Sequence, residues 1–352
     1  MVIVIGADVH KATHTFVAVD EVGRKLGEKT VKATTAGHGV VSRWARAQFG
    51  DELRWGIEDC RHLSARLERD LLAAGQEVVR VPPKLMAQAR SSARERGKSD
   101  PIDALAVARA VLREPDLPAA VHDETTRELR LLVDRREDLI GERTRQINRL
   151  RWHLHELDPE FNVPVKSLRT RKQRHRVQAW LADRSGLVAE IARDVLSDIE
   201  AGSVKIDQFE KRITSLVEDR HPHLLAIPGC GPLAAAKIVG ETANVNRFRS
   251  EACFAMNAGV APLPVWSGNT RGRVRMSRTG NRQLNTAIHR IAVTQIRLDG
   301  LGRAYYRKRL DHGDSTVEAL RCLKRRLCRV VFNSLRADQH CAYNPASLPL
   351  AA

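Results

Sequence analysis

The chain has 352 residues, of which 43% are hydrophobic and 29% charged, and its formal net charge is +17. This composition excludes a wholly disordered chain and predicts two or three folded domains. The excess of Lys and Arg indicates a polyanionic partner, and nucleic acid is the most common such partner of a soluble basic protein. A merely basic enzyme is the alternative.

Two classes of protein are excluded by what the chain lacks. No segment approaches the roughly 18 consecutive apolar residues of a membrane span, so we expect a cytoplasmic protein with no membrane partner. The cysteines are single and widely spaced, unlike those of a CxxC zinc site or a disulfide scaffold. We expect them to be reduced and mostly structural. They are Cys60, Cys230, Cys253, Cys322, Cys328 and Cys341.

The first third of the chain predicts a mixed sheet with flanking helices. Segments rich in Val, Ile and Thr predict three antiparallel strands over residues 2–9, 13–20 and 24–32. Helices are then predicted over 40–49, 63–74 and 101–112, and strands over 53–58 and 77–81. Alternation of this kind places helices on the faces of the sheet.

The middle of the chain predicts long helices and one basic segment. Residues 125–157 have the spacing of a long exposed helix or coiled coil, and 177–217 are helical with Gly202 as the best break. Residues 166–176 contain six basic residues and no acid, which predicts a loop over phosphate or a solvated charge run. The residues of this run that we expect to bind nucleic acid are Lys166, Arg169, Arg171 and Lys172.

Four acidic residues occupy positions that a fold of this type brings together. Asp8 follows an apolar strand start, Glu58 ends the fourth strand, and Asp100 and Asp103 share one face at the start of a helix. Such oxygen ligands suit Mg²⁺ or Mn²⁺, and paired ions of this kind catalyse phosphodiester chemistry. Each residue taken alone also suits a turn, a helix cap or a surface charge.

The C-terminal third contains two further patterns. Gly229 and Gly231 form a Gly-x-Gly turn between apolar helical segments, which predicts a helix-hairpin-helix that binds phosphate, or a tight turn between packed helices. Ser267 lies in a Ser-Gly-Asn turn and is a candidate nucleophile, although the same tripeptide is typical of ordinary turns, and Ser277 is a second candidate. The arginines that follow, candidates for phosphate binding, are Arg271, Arg273, Arg275, Arg278 and Arg282.

Taken in order, these motifs resemble a known family. They are GADVHK with Asp8, IED with Glu58, KSDPIDA with Asp100 and Asp103, then IPGCGPLAAAKIVGE, RFRS, AGVAP and SGNTRGRVRMSRTGNRQL. Over about residues 2–330 the chain resembles the DEDD transposases of the insertion-sequence family that includes the pilin-gene invertases. The resemblance implies an α/β plus α protein: an RNase H-like (RuvC-like) mixed sheet, a coiled-coil linker and a mainly helical C-terminal domain.

The resemblance also implies a function for each part. The expected domains are a RuvC-like catalytic domain (1–118), a helical coiled-coil linker with a basic loop (119–221), a transposase domain with the serine (222–335) and a tail (336–352). The DEDD cluster would use Mg²⁺ or Mn²⁺, and Ser267 would attach covalently to double-stranded DNA at the element ends and target. Relatives are guided by a structured noncoding bridge RNA from the element. Recombination of two duplexes predicts a homodimer or homotetramer.

Two other functions are compatible with the composition. One is an RNase H-like two-metal nuclease, such as a junction resolvase, which needs the four acids but no serine. The other is a DNA-binding protein whose former catalytic domain serves only as a scaffold.

Overall fold

The computed structural model describes residues 2–58, 63–91, 99–117, 119–121, 123–272, 274–276 and 280–343. The chain forms two compact units. Unit 1 comprises Met1–Glu124, Ala243–Asn285 and Lys324–Phe332, and unit 2 comprises Thr125–Thr242, Thr286–Leu323 and Asn333–Ala352. Of the described helices, none is both long enough and apolar enough to span a bilayer.

Unit 1 opens with a five-stranded mixed sheet. Its strands are β1 (Ile3–Val9), β2 (Thr13–Val19), β3 (Lys25–Lys32), β4 (Leu53–Glu58) and β5 (Glu77–Val81). The order is β3-β2-β1-β4-β5; β2 is antiparallel to both of its neighbours, whereas β1, β4 and β5 run parallel. The mixed sheet with flanking helices that the sequence predicts is therefore confirmed.

Helices cover both faces of this sheet. They are α1 (Thr35–Phe49), α2 (Ala65–Ala73), α3 (Pro83–Ser91) and α4 (Asp100–Arg113). One face buries Ile5, Trp55 and Ile57 in a core with side chains of α1 and α2, and the other buries Val4 and Val17 with α3 and α4. Both faces are apolar, which is why the central strands are continuous runs of hydrophobic residues.

The close approach of α4 to the sheet depends on two glycines. A Cβ atom at Gly6 would lie 2.1 Å from the carbonyl oxygen of Ala104 and 2.4 Å from the backbone nitrogen of Ala108. A Cβ atom at Gly56 would lie 2.6 Å from Val111. Since no side chain separates the helix from β1 and β4, α4 packs with its backbone almost in contact with the strands.

The first helix starts earlier than predicted. It begins at Thr35 rather than Val40, and the Thr34 hydroxyl accepts a hydrogen bond from the Gly37 N–H at 3.1 Å. Thr is a favourable N-cap residue, whereas the glycines at 37 and 39 lower intrinsic helix propensity and conceal the first turn in the sequence.

Unit 2 contains a pair of long antiparallel helices. They are α5 (Glu124–Leu157) and α7 (Leu187–Arg220), with α6 (Arg171–Ala182) between them in sequence. Contacts between α5 and α7 run in reversed order along the pair: Arg212 with Glu128, Arg136 with Glu210, Arg143 with Ser203, and Gln146 with Asp198. Apolar side chains including Leu150, Leu154, Leu196 and Ile199 form the core near α6.

Two expectations for this region were wrong. The basic run is a turn of 3-10 helix at Ser167–Arg169 followed by the first half of α6, not a loop. Gly202 lies inside α7, and the helical break falls at residues 183–186 instead. Long polar helices tolerate a single glycine at a cost of about 1 kcal/mol, so packing against α5 outweighs the local preference of Gly202.

The remaining elements follow in chain order. They are α8 (Pro222–Leu225), α9 (Pro232–Thr242), α10 (Glu251–Asn257), β6 (Pro262–Pro264), β7 (Val274–Met276), α11 (Arg282–Arg297), α12 (Leu301–Asp311) and α13 (Thr316–Tyr343). The antiparallel strands β6 and β7 form a separate two-stranded sheet in unit 1. Three aromatic rings of the same unit, Phe248, Phe254 and Phe332, pack against one another.

Candidate active site

Asp8 lies at the end of the central strand β1 and is 7% exposed. Its Oδ2 atom is 3.0 Å from Nε2 of His10, which is two residues further along the chain. The same His10 nitrogen is 3.5 Å from Oδ1 of Asp100. The buried carboxylate of Asp8 is therefore joined to an acid of α4 through one imidazole.

The sheet register places Glu58 beside Asp8. Ala7 is opposite Ile57 in the parallel pair of β1 and β4, so the next residue of each strand lies at the same edge. Alternate residues of a strand face the same side, and Gly6 and Gly56 face α4. Asp8 and the half-buried Glu58 consequently follow these glycines on the face that α4 covers.

The start of α4 supplies the other two acids. Because the first turns of α4 lie against Gly6, near the end of β1, Asp100 and Asp103 reach the edge that Asp8 occupies. Asp103 is 5% exposed and its Oδ1 forms an ion pair with Nε of Arg90 at 2.7 Å. Asp100 is more exposed and faces His10.

The electrostatics of Asp8 are those of a crowded acidic site. Burial raises the pKa of the Asp8 carboxyl above its ordinary value, and the negative charges of Asp103 and Asp100 raise it further. His10 acts in the opposite direction through its charge and its hydrogen bond. A cation bound among these carboxylates would favour their ionised forms.

The arrangement fits a divalent metal ion. Among the described residues, ligand atoms of Asp8, His10 and Asp100 all lie within 4.8 Å of one another. Such spacing suits an ion with bonds of about 2.1 Å, whose neighbouring ligands are about 3 Å apart. Among the described residues, this group does not include Glu58 or Asp103, which lie at the same edge of the sheet.

Two residues of this site were missed by the sequence analysis. His10 is close to Asp8 because only Val9 separates them at the end of β1, a spacing that the printed sequence does show. Arg90, the partner of Asp103, comes from α3, and no local pattern predicts an ion pair between two helices. It is visible only once α3 and α4 are packed on the sheet.

Comparison with known proteins assigns the family. A sequence model of DEDD transposases of the IS110 type matches residues 5–159, and a second, described as "Transposase IS116/IS110/IS902 family", matches residues 221–307. Two full-length relatives are each 28% identical. One is the 44.8 kDa protein of insertion element IS116 from Streptomyces clavuligerus, aligned over 94% of both chains; the other is the 42 kDa protein of IS900 from Mycobacterium paratuberculosis, over 99% of this chain and 98% of the relative.

The chain belongs to the IS110 family of DEDD transposases. It is therefore a DNA transposase, and DNA is its partner. Among solved structures, T. thermophilus RuvC in complex with a Holliday junction substrate aligns with 34% of this chain and 100% of its own at 17% identity, with a TM-score of 0.27.

The candidate serine of this IS110-family protein lies in an exposed segment of unit 1. Ser267 follows β6 by three residues and immediately precedes a turn of 3-10 helix at Gly268–Thr270. Three of the predicted phosphate-binding arginines in the same part of the chain are also exposed: Arg271, Arg275 and Arg282. Arg273, Arg278 and the alternative serine Ser277 lie outside the described residues.

The Gly-x-Gly turn joins α8 to α9 in unit 2. Gly229 has a φ of 82°, a left-handed conformation that favours glycine, and a Cβ atom there would lie 3.0 Å from Thr294. Gly231 is exposed and immediately precedes α9. Phosphate binding by this turn stays a prediction.

The four predicted residues of the basic run are all exposed at the surface of unit 2: Lys166, Arg169, Arg171 and Lys172. A fifth, Arg174, is buried, and its Nη1 atom donates to the carbonyl oxygens of Leu168 and Arg169 at 3.3 and 2.8 Å. On α5, the pKa of Arg143 is lowered by burial and by the charges of Arg169 and Arg174. Arg169 and Arg174 therefore lie near enough to Arg143 for their charges to act on it.

Proposed function

We propose that this transposase cleaves and rejoins double-stranded DNA with the acids Asp8, Glu58, Asp100 and Asp103 and with Ser267 as the nucleophile. The observation that carries the proposal is the convergence of Asp8, Asp100 and Asp103 at the end of β1, where burial and mutual repulsion raise the pKa of Asp8. Membership of the IS110 family supports the same reaction.

The acids of this site would hold Mg²⁺ or Mn²⁺. A bound ion would neutralise charge on the phosphate and help to ionise the attacking hydroxyl. Asp8 and Glu58 come from rigid strands and the two α4 acids from the start of a packed helix, so the ligands are held in place before DNA arrives.

Ser267 would exchange one phosphoester bond for another. Its Oγ forms a bond to phosphorus, the bond from phosphorus to a deoxyribose oxygen breaks, and the hydroxyl proton passes to a carboxylate. The departing oxygen takes up a proton. Attack on the phosphoserine by a strand hydroxyl reverses these steps and joins DNA in a new arrangement without an external energy source.

Arginine side chains after the serine would stabilise the phosphate. Arg271 and Arg275 are exposed within a few residues of Ser267, and a guanidinium binds phosphate oxygens with two parallel hydrogen bonds. These guanidinium groups would match the negative charge on the non-bridging phosphate oxygens in the transition state.

The proposal includes a guide RNA and more than one subunit. The basic run at the surface of unit 2 and the net charge of +17 support a second polyanion besides DNA. Two duplexes need more than one active site, which supports a homodimer or homotetramer. We also retain the proposed catalytic, linker and transposase domains at 1–118, 119–221 and 222–335.

The serine is tested with DNA carrying the element ends. Wild-type protein and Ser267→Ala are incubated with this DNA and Mg²⁺ and run on a denaturing gel. We expect a covalent protein–DNA band from wild type and none from Ser267→Ala, although both form the nucleoprotein complex. Ser250→Ala, at the N-cap of α10, is a control that should retain the adduct. Free cut ends from Ser267→Ala would instead support the two-metal nuclease.

The acids are tested by Asp8→Asn and Asp103→Asn. Both variants should lose strand cleavage but keep DNA binding, because the basic surfaces are unchanged. Equal activity of wild type in EDTA and in Mg²⁺ would contradict the metal site. A protein that binds DNA but makes no metal-dependent cut under any condition would point to the non-catalytic alternative.

The guide RNA is tested by purification from a host that carries the whole element. One discrete noncoding RNA should copurify with the protein. Recombination of DNA at full specificity by an RNA-free preparation would refute this part of the proposal.

A further inference from the structure

His10 stands in the acidic site but is no member of the DEDD set. Its Nε2 atom faces two carboxylate oxygens at once, 3.0 Å from Asp8 and 3.5 Å from Asp100. Both separations are near the spacing of about 3 Å between neighbouring ligands of a six-coordinate ion with bonds of about 2.1 Å. The ring nitrogen thus stands where a third ligand of the same ion would stand.

The backbone holds His10 at this position. The residue follows β1 directly, and its N–H donates to the carbonyl oxygen of Thr13 at 3.1 Å, which closes the turn into β2. The side chain is 54% exposed, so the imidazole remains accessible to an ion arriving from solvent. Asp8, by contrast, is buried and fixed by the sheet.

We propose that His10 is a nitrogen ligand of the metal held by Asp8 and Asp100, and that it gives the site a preference for Mn²⁺ and other transition-metal ions over Mg²⁺. The inference rests on the metal site of the proposed function. Mg²⁺ binds almost only oxygen ligands, whereas an imidazole nitrogen adds affinity for first-row transition metals. A site with one nitrogen ligand and several oxygen ligands therefore prefers Mn²⁺ over Mg²⁺ more strongly than a site of four carboxylates does.

In a competing interpretation, His10 lowers the affinity of the site for metal ions. Its ring would only occupy the space of the cation, donate a hydrogen bond to Asp8 and leave when a metal arrives. Removal of the ring would then raise the affinity for Mn²⁺ and Mg²⁺ alike, because the ion would no longer displace it. The two roles differ in the sign of the effect on metal affinity.

The experiment measures metal binding by the full-length protein without DNA. Free Mn²⁺ is quantified by electron paramagnetic resonance during titration, Mg²⁺ is measured by competition, and pulsed spectra report ¹⁴N coupled to bound Mn²⁺. We expect nitrogen coupling in the wild type and its loss in His10→Ala, with Mn²⁺ affinity lowered about tenfold or more and Mg²⁺ affinity nearly unchanged. His155→Ala, at an exposed position on α5, is the matched control.

A second variant guards against a folding defect. His10→Asp replaces the nitrogen with oxygen ligands, so it should bind Mg²⁺ at least as well as wild type while it lacks nitrogen coupling. Unchanged or tighter Mn²⁺ binding in His10→Ala, without loss of ¹⁴N coupling, would overturn the role of His10 and leave the proposed reaction intact. If Asp8→Asn binds Mn²⁺ as tightly as wild type, the metal site of the proposed function fails, and the inference fails with it.

Discussion

The acidic site and the serine segment both belong to unit 1, but the fold supports them very differently. Asp8 and Asp103 are buried, and their backbones belong to a central strand and to a helix packed directly on it. Ser267 is exposed and lies between two strands of three residues each. We expect the acids to be positioned in the free protein and the serine segment to be positioned by DNA, RNA or a second subunit.

The largest effect should come from breaking the contact that places α4 on the sheet. In Gly6→Ala, the added Cβ would lie 2.1 Å from the carbonyl oxygen of Ala104, so the helix must move. We expect a loss of about 3 kcal/mol or more in the free energy of unfolding, measured by urea denaturation, together with loss of the covalent adduct. Displacement of α4 would carry Asp100 and Asp103 away from Asp8.

The matched control is Gly202→Ala in α7, where no atom beyond the neighbouring residues and the backbone of the same helix lies within 4 Å of the added Cβ. This variant should gain about 0.5–1 kcal/mol, since Ala is the better helix former. If Gly6→Ala had the stability and activity of wild type, the acidic site would not depend on close packing of α4. The proposed difference between acids positioned by the fold and a serine positioned by a partner would then be wrong.

A smaller effect concerns the pH dependence of the sheet. His14 in β2 is buried and stacks on His38 with ring centroids 5.2 Å apart. Burial and the charge of His38 lower the pKa of His14 from 6.5 to about 4. The unfolded chain therefore binds a proton that the folded chain does not between these pH values, and acid destabilises the fold.

Above pH 6.5, we expect neutral His14 to make its full contribution to the free energy of unfolding. As the pH falls to 4, this free energy should decrease by about 3 kcal/mol. His14→Phe should flatten this part of the profile, measured by urea denaturation at a series of pH values. His155→Phe, at an exposed position, should follow wild type. Equal slopes in wild type and His14→Phe would mean that other groups govern the acid sensitivity.

The sheet was predictable from sequence because its buried strands are recognisable from their own apolar residues. The segments Ile3–Val9 and Leu53–Glu58 are largely apolar and carry an acid at or next to their last residue, so both the strands and these acids can be read locally. The pairing of Asp103 with Arg90 depends on how two helices pack, which no single-sequence pattern encodes.

For the basic run, the secondary structure predicted from the sequence was wrong. Its charges suggested a loop, yet Val177 and Leu181 are buried four residues apart on α6, and Arg174 on the same helix is buried against carbonyl oxygens of the preceding turn. Arg and Lys are good helix formers, so a cluster of them predicts charge but says little about secondary structure. The helix was concealed because its first half carries no apolar side chain.

The smallest expected effect is on nucleic-acid binding, and it distinguishes the exposed basic residues of this run from the buried one. Neutralising the four surface residues, Lys166, Arg169, Arg171 and Lys172, should leave stability nearly unchanged but weaken nucleic-acid binding. For every phosphate that the variant no longer neutralises, the slope of log affinity against log salt should fall by about 0.9 on duplex DNA and about 0.7 on a single strand. The slope is measured by filter binding at several salt concentrations.

Arg174→Gln is the control within the same helix. Its guanidinium is buried against the carbonyl oxygens of Leu168 and Arg169, so the change should cost about 1–2 kcal/mol of unfolding free energy while the salt slope stays near that of wild type. An unchanged slope in the quadruple variant would show that the run is only solvated surface. In that case the second polyanion would have to bind through other basic residues, such as those after Ser267.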